Sequence, residues 1–266
     1  MRQCYKNTLV KAVRLALMAL ILCCVDVAGF LSSAANAQTE VDRRFELAPL
    51  LAFEQASNDA TVDGVSSPYK FGAAGVLGTV HLTDSVQVGV GLGFGLAPNQ
   101  PVSISGRSFK GDFIGVYTNL ALSAMPLQAG DYRLGFTIEH ETQSVKSTNL
   151  MGFGSNAGLV GRASSVQDTN KLALKVQTKA LASLGTVAVQ IGISDWSFRS
   201  DGEAQSDGGF PITKTISAQG EDPFFNVELT REVGDLDVSI IFGIQKRSFD
   251  VVSYFNRIQM SVAFSF

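Results

Sequence analysis

The feature that most constrains the fold is an alternation of apolar and non-apolar residues with a period of two, which recurs from residue 45 to the end of the chain. The segment "VQVGVGLGFGLA" (86–97) shows it most clearly, since every second residue is Val, Leu or Phe and four of the others are glycine. Side chains two residues apart share one face of a strand. Each such segment therefore predicts a β-strand whose two faces meet different surroundings.

The alternation predicts ten strands, each about twice as long as the 5 or 6 residues usual in globular sheets and near the 9 to 11 that a tilted bilayer-spanning strand needs. Their predicted bounds are 44–55, 69–82, 86–97, 112–125, 132–143, 171–181, 186–198, 223–231, 236–246 and 254–266.

The connections alternate in length. Short turns rich in Asp, Gly, Pro and Ser ("TDS", "PLQAGD", "ASLG", "EVGD") separate longer polar connections at 56–68, 98–111, 144–170 and 199–222, with a shorter one at 247–253. Short turns at one end and long loops at the other are typical of transmembrane barrels. The pattern predicts an all-β protein: a single closed antiparallel up-and-down transmembrane β-barrel of about ten strands, with short periplasmic turns and long extracellular loops. The alternative is a soluble exported barrel or sandwich, in which the apolar face would point inward.

The first 37 residues predict a cleaved secretory signal peptide. Four basic residues precede the apolar run "LALMALILCCV", and "ANA" at 35–37 is a small-x-small cleavage site. The alternative, a membrane anchor, needs roughly 20 apolar residues, which this run does not reach. Residues 38–266 would then form the barrel domain. Removing the peptide's four basic residues and one acidic residue changes the net charge from -3 to -6, which does not suit a nucleic-acid partner.

The chain closes with "VAFSF" at 262–266, where Val262, Phe264 and Phe266 occupy one face. This ending resembles the C-terminal strand signature of bacterial outer-membrane β-barrels, a resemblance that extends over the whole mature chain. It implies location in the outer membrane of a Gram-negative cell, with both barrel termini periplasmic. It also implies lipid and lipopolysaccharide as surroundings and the barrel-assembly machinery as a partner during insertion. In that reading the three residues are the assembly signal.

The face opposite the apolar one carries charges that are expected to line the lumen. They are Glu46, Glu54, Arg133, Glu139, Glu141, Lys175, Lys179, Glu228, Asp237 and Arg257. Glu139 is expected to pair across strands with Lys175 and Lys179, because an isolated charge in a confined interior is costly. These charges either plug a narrow barrel with salt bridges or line a narrow polar conduit. The glycines of 86–97 would leave free volume for a conduit, or would serve curvature and close packing.

Candidates for catalysis are few. The sequence has two histidines, His81 and His140. By parity His140 points away from the face holding Glu139 and Glu141, so a rim or interface histidine is the preferred interpretation. Ten strands are also the number in the omptin surface proteases, which use paired aspartates and an Asp–His couple at the extracellular rim. The Asp-x-Asp of this chain, at 235–237, falls at a periplasmic turn instead.

The sequence therefore predicts a non-catalytic protein that needs no cofactor and no metal. Its function would be a structural or surface-interaction role through extracellular loops and a surface partner. The alternatives are a narrow porin-like channel and, less favoured, an outer-membrane hydrolase or acyltransferase.

Carboxylates of the predicted loop 199–222 could instead bind calcium or share divalent ions with lipopolysaccharide. The apolar segment 149–161 would either enter the barrel mouth or face a partner. Trp196 is expected at the membrane interface.

Overall fold

The structure is a computed structural model that describes residues 45–62, 65–179, 185–205, 211–233, 236–249 and 251–265. These residues form ten β-strands and one short 3₁₀ helix, η1 (Gly154–Asn156). The strands are β1 (Phe45–Val62), β2 (Val65–Thr83), β3 (Val86–Ile104), β4 (Arg107–Ala129), β5 (Tyr132–Gly152), β6 (Val160–Thr178), β7 (Thr186–Gln205), β8 (Pro211–Val233), β9 (Leu236–Phe249) and β10 (Val251–Ser265). Among the described residues no helix is long and apolar enough to cross a bilayer.

The strands form one closed antiparallel barrel in chain order. Each strand pairs with the next, and β1 pairs with β10 to close the ring, with Leu51 opposite Met260. The predicted fold class is confirmed. The end of the barrel where β1 begins and β10 ends is called the short-turn end below, and the opposite end is called the hairpin end.

The predicted strand bounds are wrong at the hairpin end, where most of the expected long loops are paired strand. β7 and β8 stay in register from Thr186 opposite Thr230 to Gln205 opposite Pro211. The alternation disappears there because residues on the outer face meet water and need not be apolar, while backbone pairing continues. Where the structure describes the connections at this end, they have two residues between β3 and β4 and seven between β5 and β6. The β3–β4 tip is Ser105–Gly106, with φ of 51° and 77°, as a two-residue turn with two left-handed positions requires.

The outward face of the barrel carries a belt of exposed apolar side chains, here called the apolar belt. Phe94 is 76% exposed and Leu174 is 73% exposed, and both stand among further exposed Val, Ile, Leu and Phe residues on neighbouring strands. Soluble monomers rarely expose contiguous apolar surface of this extent. The predicted lipid-facing arrangement is confirmed, and the alternative with the apolar face inward is wrong.

The barrel interior contains a second apolar group, the apolar core, toward the hairpin end. Ile104, Phe109 and Leu150 are fully buried there. The core continues along the wall of β1 to β4 through Leu50, Phe71, Ala73, Ala97, Phe113 and Tyr117, and along β6 and β7 through Ala163 and Ala204.

Two inward glycines of β3, Gly91 and Gly95, are covered by this core. A Cβ on Gly95 would lie 2.6 Å from the ring of Phe71, and one on Gly91 would lie 3.7 Å from Leu50. Of the two alternatives, free volume and close packing, the structure shows close packing at these two positions, because large side chains of β1 and β2 occupy the space over them. Close packing is their role.

We expect Gly95→Ala to lower the free energy of unfolding by about 1–3 kcal/mol, because the added methyl group forces the buried Phe71 ring to move. Urea titration of the protein folded in phospholipid vesicles measures the change. Gly72→Ala on neighbouring β2 is the matched control, since its Cβ would meet atoms only at 3.9 Å and beyond. Equal stability of the two variants would contradict the close packing described here.

Candidate functional site

The middle of the lumen is crossed by a group of charged side chains, here called the charged layer: Glu139 and Glu141 of β5, Lys171 of β6 and Arg257 of β10. Alternation along each strand turns these residues inward. Register brings them to one height, since Glu139 lies directly opposite Lys171. The side chain of Arg257 reaches them across the lumen from β10.

Glu141 is the centre of the charged layer and is only 2% exposed. Its carboxylate accepts hydrogen bonds from Arg257 Nη1, from Lys171 Nζ at 3.4 Å and from Gln143 Nε2 at 2.8 Å. Lys171 Nζ also lies 3.2 Å from Glu139 Oε1, and Arg257 Nη2 donates to Tyr117 Oη at 2.8 Å. A buried carboxylate is costly unless such partners surround it.

The charged layer and the apolar core occupy the middle of the lumen and its side toward the hairpin end. The void beside the layer, lined by Glu54, Phe224 and Asn226 among others, has a volume of about 20 Å³, room for about one water. Toward the hairpin end the apolar core follows directly through Tyr117. At the level of Glu141, charged side chains from β5, β6 and β10 are thus paired with one another across the lumen.

Below the charged layer the lumen widens into a cavity of about 960 Å³ at the short-turn end, here called the vestibule. Lys175 Nζ binds Glu228 Oε2 at 2.9 Å in its wall, and His81 Nε2 lies 2.9 Å from Glu46 Oε1. Arg133 donates to the carbonyl of Asp84 at the β2–β3 turn. Lys179 and Asp237 also line the vestibule, and Lys179 is exposed.

The predicted lumen residues therefore divide into two groups. Glu139, Glu141 and Arg257 meet in the charged layer, and Glu54 lies beside it, 3.4 Å from Gln143 Nε2. The remaining ones, Glu46, Arg133, Lys175, Lys179, Glu228 and Asp237, line the vestibule.

The prediction that Glu139 pairs with Lys175 and Lys179 is wrong, since Glu139 binds Lys171. Lys175 lies opposite Gly135 rather than Glu139 and binds Glu228 of β8 instead. Sequence reasoning missed Lys171 and Tyr117. Lys171 has the inward parity of Lys175 and could have been found from it, whereas nothing in the sequence marks Tyr117 as the partner of Arg257.

His140 lies on the outward face, as its parity predicted, and Glu139 and Glu141 lie inside. The His140 ring binds Asn170 Oδ1 through Nδ1 at 2.8 Å, and its Nε2 lies 3.2 Å from Thr142 Oγ1. Thr142 in turn donates to Asp168 Oδ1 at 2.7 Å. Among the described residues no cluster of His, Cys, Asp and Glu could hold a metal ion.

Trp196 is placed differently from its prediction. It is buried inside the barrel, 4% exposed, and its Nε1 donates to Asp222 Oδ2 at 3.0 Å. The alternation of side chains along β7 accounts for the difference, since Trp196 is two residues from buried Ser194 and therefore shares its inward face.

The outer wall of β5 to β8 beyond the apolar belt is polar. Arg162 Nη2 binds Glu203 Oε2 at 2.7 Å, and Arg199 Nε binds Asp201 Oδ2 at 2.9 Å. The hydrogen bond from Arg199, with a second from Thr215, holds the pKa of Asp201 below its ordinary value. These two carboxylates of the predicted calcium loop are thus bound to arginines.

The apolar segment 149–161 is divided between two surroundings. Leu150 is fully buried in the lumen, whereas Met151 is 65% exposed on the outer face. Of the proposed assembly signal, Val262 is half-buried and Phe264 lies opposite Leu47 in the barrel closure. Phe266 and the predicted signal peptide lie outside the described residues.

A solved outer-membrane protein is similar to this chain in fold. The outer membrane protease OmpT from Escherichia coli superimposes with a TM-score of 0.50 at 10% identity, covering 86% of this chain and 99% of that one. The translocator domain of the autotransporter NalP from Neisseria meningitidis gives a TM-score of 0.49 at 11% identity, covering 91% and 96%. At such identities the likeness is one of fold alone. No family model and no curated protein matches the sequence.

We expect Arg257→Met to lower the free energy of unfolding by about 3–5 kcal/mol, because it removes the guanidinium from a buried carboxylate. The double variant Arg257→Met, Glu141→Gln should recover much of that loss, since it also removes the uncompensated charge. Urea titration in vesicles of all four proteins of this cycle measures the coupling. Strictly additive losses would contradict the pairing of Arg257 with Glu141.

Proposed function

We propose that this protein is a non-conducting outer-membrane barrel that acts at the cell surface through its hairpin end. One observation carries the proposal: the charged layer crosses the lumen beside the apolar core, and the void next to it has room for about one water, so the interior at this height is built for stability rather than for passage. The part of the molecule left to meet other molecules is its outer wall beyond the apolar belt.

The outer membrane is the location that suits the molecule best. The apolar belt requires lipid, the fold is that of outer-membrane barrels, and the sequence begins with a predicted secretory signal peptide. The short-turn end is periplasmic in this proposal, and the hairpin end is extracellular. Insertion would use the barrel-assembly machinery, with Val262, Phe264 and Phe266 as the signal.

The hairpin end stands well clear of the membrane. On β8 the outward apolar residues end near Pro223, and eleven residues from Pro211 to Glu221 continue beyond them. At about 3.3 Å per residue and a tilt of about 40° this is a rise of roughly 25–30 Å. A paired, rigid and polar wall of this height is suited to binding a surface partner, because little conformational entropy is lost on binding.

The lumen is tested by recording conductance of the folded protein in planar bilayers, after heat-shifted gel mobility has verified folding. We expect no single-channel steps, because paired charged side chains cross the lumen at the level of Glu141. Reproducible steps that change in Arg257→Met would overturn the proposal in favour of the narrow channel.

Surface binding is tested with fluorescent proteoliposomes on arrays of glycans and extracellular-matrix proteins. The matched variant lacks three registered pairs at the β7–β8 tip, Glu203–Gln205 together with Pro211–Thr213, which leaves the remaining register intact. We expect the intact protein to bind at least one probe and the shortened protein to lose that binding while keeping its heat-shifted mobility. Absence of binding by the intact protein would count against a surface role.

A further inference from the structure

A groove on the outer face of the barrel joins the apolar belt to the polar wall. Its volume is about 510 Å³. Phe94 of β3 and Ile114 and Val116 of β4 line its apolar side, and they are 76%, 58% and 49% exposed. Lys146 and Thr148 of β5 line its polar side.

The register of β4 and β5 creates this change of character between two adjacent strands. Ile114, Val116 and Leu120 of β4 lie opposite Lys146, Ser144 and His140 of β5. An apolar strand face therefore runs directly beside a polar one. A molecule that fits along this boundary is an amphiphile, with hydrocarbon on β3 and β4 and polar groups on β5.

Lys146 supplies the charge in the groove. Its side chain is exposed, and no described residue forms a hydrogen bond or ion pair with it. Ile114, the outermost exposed apolar residue of β4 in the groove, is its register partner, so the backbone of Lys146 lies level with the end of the apolar belt on β4. Acyl chains lying on Phe94 and Val116 would bring an attached phosphate to that height.

Two neighbouring charges limit what the groove accepts. Asp112 lines it and would repel an anion, but one of its carboxylate oxygens already accepts the backbone N–H of Asn99 at 2.8 Å. On the β6 side Arg162 is bound to Glu203, and among the described residues that line the groove itself Lys146 is the one cation.

We propose that this groove binds the phosphorylated, acylated saccharide of the outer leaflet, the lipid A part of lipopolysaccharide, with Lys146 contacting its phosphate. The hydroxyl of Thr148, on the same strand face and on the hairpin side of Lys146, is placed to meet a sugar hydroxyl. The inference rests on the proposed orientation, with the hairpin end outside the cell. It adds to the proposed function a specific lipid site, distinct from any partner of the hairpin tips.

The test is native mass spectrometry of the full barrel in detergent, titrated with diphosphoryl lipid A, with the same lipid lacking its phosphates, or with inorganic phosphate as competitor. We expect Lys146→Gln to weaken binding of diphosphoryl lipid A roughly three- to tenfold, the range of a lost charge-assisted contact. Binding of the dephosphorylated lipid should not change. Millimolar inorganic phosphate should not compete, because it lacks the acyl chains.

Two variants make the result specific. Lys146→Arg keeps the charge and should keep the affinity, and Lys179→Gln removes an exposed lysine at the short-turn end and should leave binding as in the unaltered protein. Equal affinity of Lys146→Gln and the unaltered protein would overturn the inference, as would competition by phosphate alone. Conductance and binding by the hairpin tip are measured separately, so failure of the lipid site is distinguishable from failure of the proposed function.

Discussion

Closure of the backbone ladder between β1 and β10 is the constraint on which the rest of the structure depends. A sheet with a free edge would leave unpaired N–H and C=O groups in hydrocarbon, each costing several kcal/mol. Once β1 pairs with β10, every strand has two neighbours, and one face of each must meet lipid while the other meets the lumen. The apolar belt, the charged layer and the apolar core are consequences of that division.

A closed ten-stranded barrel also encloses a space that must be filled or hydrated. Barrels of eight strands are just filled by side chains, and wide aqueous channels need many more strands. This protein uses two kinds of filling at different heights. Large apolar side chains pack over Gly91 and Gly95 of β3, whereas Glu139, Glu141, Lys171 and Arg257 satisfy one another at mid-height. The vestibule at the short-turn end stays open.

Charge inside and charge outside have different roles in this molecule. In the charged layer Glu141 is almost fully buried, so removing a single partner is costly, and the layer constrains which strands can face one another across the lumen. On the outer wall Arg199 and Asp201 are exposed, and pairs of that kind contribute little stability. Outer charges matter through what they can bind, and Lys146 beside the apolar belt is the clearest example.

The sequence by itself determined the strand count, the antiparallel order and the face of each strand that meets lipid, because a period of two is a local property that any eight residues reveal. It also placed His140 outside and the glutamates beside it inside.

The sequence could not determine the strand ends at the hairpin end, since paired polar strands in water carry no hydrophobic signal. Nor could it choose partners. Glu139 with Lys171, Lys175 with Glu228 and Arg257 with Tyr117 depend on register and on contacts across the lumen, which only the tertiary structure decided because each joins residues from different strands. The same is true of the groove at Lys146, which exists because one register places an apolar strand beside a polar one.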